Sequence, residues 1–390
     1  MLNSQFFSPG PVFDKVVATH IVIPTSVVHH YDDGRGKTAT RNAIYIKKYE
    51  STNQEINSEA KNPLVFFHGG PCIVNQEQFS ILTSHFTQRG YTVYIPEIEG
   101  SLMYYEENQV PDGFVPSMVP EHLKLLSLNG FYASGLNEFT KNYADDVKDV
   151  IEHVSKQHAN KKVNIVAHSL GCHQVLRTLQ HVTDLNQKIE AICNVAGSYD
   201  NGVNRFRVGL NDMAYYSDIE AASRAFYRTI EGDSENYFKS RGANANQPGP
   251  EITKSANPIV NQQMNEEISV CYGDVTGFPP ILLLHAKDDK SVFFQSSVLL
   301  YAKIQQQGAV VNGLFLDTGG HQFIKNEGDA EIRNRAFVKM YNFFNNPMQK
   351  THEDLSTLDY DDVVAERTLF LANQEAYLQS KFSPPVTPAP

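Results

Sequence analysis

Apolar residues arrive along this chain in two kinds of segment. Short solid runs alternate with longer stretches whose apolar positions recur every three or four residues. The first kind predicts buried strands and the second amphipathic helices. Near the start, Thr19-His-Ile-Val-Ile and Asn42-Ala-Ile-Tyr-Ile flank a turn cluster at Asp32-Asp-Gly-Arg-Gly, which predicts an antiparallel pair. Leu64-Val-Phe-Phe is the next strand. A helix with Phe79, Leu82 and Phe86 on one face then ends at Gly90, a common residue just past a helix. Thr92-Val-Tyr-Ile follows as a strand. A long helix over 138–157 carries Phe139, Tyr143, Val147, Val150, Ile151 and Val154. Val163-Asn-Ile-Val-Ala is a strand, Cys172-His-Gln-Val-Leu-Arg-Thr-Leu a helix, and Ala191-Ile-Cys-Asn-Val a strand again. The alternation resumes with strand Ile281-Leu-Leu-Leu, a helix at 294–306, strand Gly313-Leu-Phe-Leu and a helix at 328–344 stopped by Asn345-Asn-Pro347. Strands spaced by helices imply parallel pairing with right-handed crossovers, hence a mostly parallel sheet with helices on both faces.

Two segments interrupt this pattern. Residues 101–136 carry aromatic and Pro-rich patches, and residues 198–278 are polar and rich in Asn and Gln, with a helix near 217–230. The chain therefore divides into N-terminal antiparallel strands (1–60), an α/β core (61–197 and 279–347), an inserted cap segment (198–278) and an appendage (348–390). The appendage has six acids between Glu353 and Glu366, and its Pro-rich end cannot be helical.

At 390 residues, with 41% hydrophobic and 11% aromatic residues, the chain can bury a sizeable core. Its 33 basic residues against 44 acidic ones give a net charge of −11, and no basic stripe stands out, so a nucleic-acid partner is not expected. No apolar run reaches the roughly 18 residues of a membrane span, and the N-terminus lacks the pattern of a secretory signal. The expectation is a soluble cytoplasmic protein, with export as an effector through a signal in the C-terminal tail left open. Cys72, Cys172, Cys193 and Cys271 have no paired spacing, which favours free thiols. No metal motif is present, and neither a metal nor an organic cofactor is expected. The oligomeric state is not readable.

The run Val163-Asn-Ile-Val-Ala-His-Ser169-Leu-Gly-Cys carries the chemistry. A strand breaks at Ser169 into a helix, with small residues two before (Ala167) and two after (Gly171). Such a turn forces an unfavourable backbone angle on the serine and leaves no room for side chains beside it, so the hydroxyl stands clear at the positive end of a helix. A serine hydroxyl becomes nucleophilic when a histidine takes its proton and a carboxylate orients that histidine. Candidates follow in the order Ser, Asp, His, each after a strand. Asp288 and Asp289 follow Ile281-Leu-Leu-Leu-His-Ala-Lys, and His321 follows Gly313-Leu-Phe-Leu-Asp-Thr-Gly-Gly. Asp289, three before Val292 and 321 − 289 = 32 residues before the histidine, is preferred, with Asp288 as the alternative. The glycine pair before His321 is expected to let its loop approach the serine closely. His68-Gly-Gly-Pro71 directly follows Leu64-Val-Phe-Phe. It can supply an oxyanion donor at Gly70, with the Leu170 N–H as the second.

Together these residues resemble the α/β hydrolase superfamily, and most of all the catalytic domain of the prolyl oligopeptidase family. The similarity rests on His68-Gly-Gly-Pro, Arg89-Gly-Tyr-Thr-Val-Tyr-Ile-Pro and Glu99-Gly-Ser. It extends to Pro280-Ile-Leu-Leu-Leu-His-Ala-Lys-Asp-Asp-Lys-Ser-Val-Phe-Phe-Gln-Ser and Gly319-Gly-His-Gln-Phe. That family usually has glycine where Ala167 stands, an aromatic at Leu170 and glycine at Cys172. The Ala-His-Ser-Leu-Gly form is closer to lipases and thioesterases. The resemblance implies an α/β hydrolase fold, a Ser169–His321–Asp289 triad and acyl-group hydrolysis of a small-molecule ester or peptide substrate. Three functions stay open: a carboxylic esterase of lipase type, a peptidase acting on small peptides, and a non-catalytic binding protein on the same fold.

Overall fold

The solid apolar runs are strands of one eight-stranded sheet covered on both faces. A computed structural model describes residues 16–32, 38–53, 61–69, 72–98, 101–104, 135–200, 269–289, 292, 294–350 and 364–365. Its strands are β1 (Val16–Asp32), β2 (Thr38–Ser51), β3 (Leu64–Phe67), β4 (Cys72–Asn75), β5 (Val93–Pro96), β6 (Ser101–Tyr104), β7 (Val163–His168), β8 (Ile189–Val195), β9 (Ile281–Ala286) and β10 (Val311–Leu316). The helices are α1 (Ser80–Thr87), α2 (Gly135–Gln157), α3 (Leu170–His181), α4 (Phe294–Gln306) and α5 (Ala330–Asn345). The main sheet runs in the order β1-β2-β5-β3-β7-β8-β9-β10. β1 pairs antiparallel with β2 and β2 antiparallel with β5; every later neighbour is parallel.

The strand runs are solid rather than alternating because successive side chains enter two different cores. In β3, Val65 and Phe67 join the cluster with Val147, Ile151, Leu176, Leu179 and Leu300, beneath α2, α3 and α4. Leu64 and Phe66 join the other cluster with Leu82, Phe86, Phe337 and Met340, beneath α1 and α5. The same division recurs in β9, where Ile281 and Leu283 face one way and Leu282 and Leu284 the other. Each such side chain, removed from water, contributes roughly 1.5–3 kcal/mol, so a polar residue inside these strands must find a partner.

β4 and β6 form a separate two-stranded parallel sheet that the pattern did not predict. Their pairing joins Cys72–Asn75 to Ser101–Tyr104 across a helix and a strand of the main sheet, a relation local pattern does not encode. Val270, Cys271 and Val275, beside the beginning of β9, are buried in the α2–α3–α4 core, as are Tyr199 and Cys172. The expected helix near 217–230, residues 201–268 of the expected cap segment (198–278) and the Pro-rich tail lie outside the described residues. Cys172, Cys193 and Cys271 are buried free thiols. Among the described residues no helix is long and apolar enough to cross a membrane, and no group of His, Cys, Asp or Glu could hold a metal ion.

Candidate active site

Parallel strands β3, β7, β9 and β10 all end on the same edge of the sheet, and the loops that follow them converge there. Ser169 links β7 to α3 with φ 55° and ψ −120°. A non-glycine residue in such a conformation costs about 1–3 kcal/mol and persists only when its surroundings enforce it. The enforcement is visible here. The Ser169 N–H donates to the Val195 carbonyl at 2.9 Å, and the Cys172 N–H donates to the Ser169 carbonyl at 3.1 Å. At Gly171, an added Cβ would meet the Phe67 carbonyl oxygen at 2.4 Å, so α3 presses its first turn onto the end of β3.

The Ser169 Oγ lies 2.9 Å from His321 Nε2, and His321 Nδ1 lies 2.8 Å from Asp289 Oδ2. An ionised carboxylate only accepts, so Nδ1 carries the proton and Nε2 presents its lone pair to the serine hydroxyl. Asp289 Oδ1 accepts the Val292 N–H at 2.9 Å, and Oδ2 accepts a second ring nitrogen, His285 Nε2, at 3.0 Å. Burial by itself would raise the Asp289 carboxyl. Hydrogen bonds from His285 and His321 outweigh it and hold the group well below the usual carboxylate range. Ser169 is 8% exposed and Asp289 5%, with the His321 side chain between them partly exposed, so the relay is largely shielded from water.

Asp288, the alternative acid, is exposed and does not meet the imidazole. Its Oδ1 accepts the Gly320 N–H at 2.7 Å and so anchors the loop that carries His321. The glycine pair there answers a conformational need rather than the expected need for closeness. Gly319 has φ +142° and Gly320 φ +61°, and nothing lies within 4 Å of a Cβ at Gly320. His168 Nε2 donates to the His321 carbonyl at 3.0 Å, and the two rings are 5.0 Å apart. Burial, then the neighbouring His321, keep His168 well below the usual imidazole range, so it serves as a neutral donor.

Gly70, the expected oxyanion donor, lies outside the described residues. Its neighbour Gly69 lies against the nucleophile: a Cβ there would stand 2.7 Å from the Ser169 Cβ. Leu170 opens α3, where a backbone N–H has no intrahelical acceptor. What sequence reasoning missed are the roles of His285 as a partner of Asp289, of His168 as a donor to the His321 carbonyl and of Asp288 as an anchor. His285 alone left a signal, a polar side chain ending an otherwise apolar buried strand.

Buried neutral imidazoles make the fold acid-sensitive. Burial pushes His68 and His173 down to about 4 and His85 to about 3. Their folded pKa values lie below the unfolded one, so their contribution to stability is complete above pH 6.5 and is lost as pH falls toward 4. For His68 or His173 the loss by pH 4 is on the order of 3 kcal/mol. Urea midpoints measured from pH 7 to pH 4.5 are expected to fall steadily. His85 packs against Phe86 and Phe337. His85→Phe, which removes one titrating ring, is expected to flatten that slope; an unchanged slope refutes the assignment.

The strand order, the sharp turn at Ser169 and the convergence of three strand-end loops define an α/β hydrolase fold. Several solved structures are similar to this chain. The acylaminoacyl peptidase of Pyrococcus horikoshii superposes with a TM-score of 0.50 at 13% identity, over 90% of this chain and 45% of that one. Esterase 2 of Thermogutta terrifontis gives 0.45 at 14% identity, over 85% and 97% of the two chains. A puromycin-hydrolyzing peptidase of Mycobacterium tuberculosis gives 0.49 at 14%, over 82% and 39%. The chain thus spans under half the length of the acylaminoacyl peptidase. The lecithin:cholesterol acyltransferase family profile matches residues 132–211, from α2 through the serine turn and past β8. No curated protein matches the chain in sequence.

Proposed function

We propose that this chain is a serine hydrolase that cleaves carboxylic esters through an acyl-enzyme. One observation carries the reading: a strained, shielded serine hydroxyl 2.9 Å from an imidazole whose other nitrogen is 2.8 Å from a buried carboxylate. Ser169 attacks the ester carbonyl while His321 Nε2 takes its proton, then returns it to the departing alcohol. Water, activated by the same nitrogen, releases the acid. Asp289 holds the tautomer and balances the imidazolium. The Leu170 N–H and a donor from the His68-Gly-Gly-Pro run, where Gly70 is the expected one, stabilise the tetrahedral oxyanion.

Ester rather than amide is favoured by the Ala-His-Ser-Leu-Gly turn and by the acyltransferase-family match across it. The peptidase reading draws on the His68-Gly-Gly-Pro run and the segments around Asp289 and His321. A panel of p-nitrophenyl esters of increasing acyl length against aminoacyl p-nitroanilides separates the two. Turnover of esters with little of the anilides is the expected result; the reverse preference makes the chain a peptidase. Failure of a fluorophosphonate probe to label Ser169 would leave a binding protein on a hydrolase fold.

A further inference from the structure

Asp289 has one more imidazole partner than a serine–histidine–acid relay requires. His285, the fifth residue of β9, is fully buried and points its Nε2 at Asp289 Oδ2 (3.0 Å) and at the Val292 carbonyl (3.2 Å). Its Nδ1 meets Ser297 Oγ on α4 at 2.6 Å, and that serine is 1% exposed. Both groups before Nε2 are pure acceptors, so Nε2 carries the proton and Nδ1 accepts from the Ser297 hydroxyl. The result is a continuous hydrogen-bonded chain, Ser297–His285–Asp289–His321–Ser169, buried up to Asp289 and partly exposed at His321. A polar residue this deep would ordinarily cost stability, and apolar side chains fill the rest of β9.

We propose that His285 is a positioning residue for the proposed hydrolysis, a second imidazole donor that orients the Asp289 carboxylate and tempers its pull on His321. The inference rests on the serine-hydrolase reading above. One oxygen, Oδ2, serves both rings. The hydrogen bond that Oδ2 accepts from His285 competes with the one it accepts from His321, so the second ring weakens the carboxylate's hold on the first. The ring also stops the carboxylate from rotating, since its own two ends are tied to α4 and to the Val292 backbone.

His321 faces Asp289 from the loop after β10. From α4 come Ser297 and the Phe294 ring, whose edge meets His285 at 6.2 Å between centroids. Tyr199, buried and pushed well above the usual phenol range, lies toward Ser297. His168 sits behind His321 under the influence of Lys325. Toward solvent, Asp288 anchors Gly320 and Lys287 pairs with Asp317 at 2.7 Å.

The test compares His285→Leu with His285→Gln, whose amide nitrogen can stand where Nε2 stands. In the leucine variant kcat/KM for a p-nitrophenyl ester is expected to fall about tenfold. Its acid limb should move to higher pH by about half a unit or more, since Oδ2 now serves His321 alone. The glutamine variant should recover most of both. A merely structural role would lower stability and leave the acid limb in place. A folded His285→Leu enzyme with the wild-type limb overturns the proposal, as does a glutamine variant no closer to wild type than leucine. Where leucine prevents folding, Ser297→Ala decides: it frees the far end of the ring, and a profile superimposable on wild type overturns the proposal. Fluorophosphonate labelling of wild type at Ser169 tests the underlying reading separately. Without it that reading falls first, whatever the His285 variants do.

Discussion

Ser169→Ala is expected to reduce ester turnover by at least ~10³-fold while leaving the urea midpoint close to that of the wild type. The rate falls because the hydroxyl that meets His321 Nε2 is that of Ser169, 2.9 Å away. Stability holds because the backbone hydrogen bonds from Ser169 and Cys172 do not involve the hydroxyl, and alanine inherits the same strained φ of 55°. His321→Ala should cost a similar factor. The double variant should cost little more than either single one, since nucleophile and base act as one unit. Turnover of p-nitrophenyl esters that survives in Ser169→Ala at wild-type rate would remove the serine from the chemistry. The neighbouring Cys172 offers no substitute nucleophile: burial pushes its thiol up to about 12, and its Sγ donates to the Val195 carbonyl.

The residues that meet at this site were legible because each ends an apolar strand. Val163–His168, Ile281–Ala286 and Val311–Leu316 are buried along their whole length, and parallel strands place their C-terminal loops on one edge. Ser169, Asp289 and His321 therefore follow from strand order plus residue type, and the structure brings the three together. What was not legible depends on contacts that pattern does not encode. His285 terminates the Ile281–Leu284 run, and nothing local says that its ring turns back toward the acid four residues on. Asp288 and Asp289 differ in sequence by one position, yet one side chain is exposed and holds a backbone N–H while the other is buried between two rings. The Gly319–Gly320 pair was expected to bring the loop close to the serine; instead both take positive φ, and Gly319 packs against Ile332 and Phe323. The small β4–β6 sheet escaped because its pairing joins four-residue segments separated by a helix and a strand of the main sheet.

Gly171→Ala is expected to cost on the order of 10²-fold in ester turnover, less than loss of the serine and by a different route. The added Cβ would stand 2.4 Å from the Phe67 carbonyl oxygen, 2.8 Å from that of His68 and 2.9 Å from the Phe67 carbonyl carbon. All three are backbone atoms. Those of Phe67 belong to β3, which is locked between β5 and β7 and cannot yield as a flexible side chain would. The first turn of α3 must retreat by about 1 Å, and a shift of that size at a reacting atom costs on the order of 10²-fold in rate. Alanine also gains up to ~1 kcal/mol over glycine as a helix former, so the observed destabilisation is the steric cost less that gain, about 1–3 kcal/mol. Gly277→Ala provides the contrast. Its φ is +78° with nothing within 4 Å of the new Cβ, far from Ser169 along the sheet, so it should lose about 1 kcal/mol of stability and no activity. A Gly171→Ala enzyme with wild-type kcat and an unshifted urea midpoint would mean that α3 is not pressed onto β3, and the strained placement of Ser169 would lose its cause.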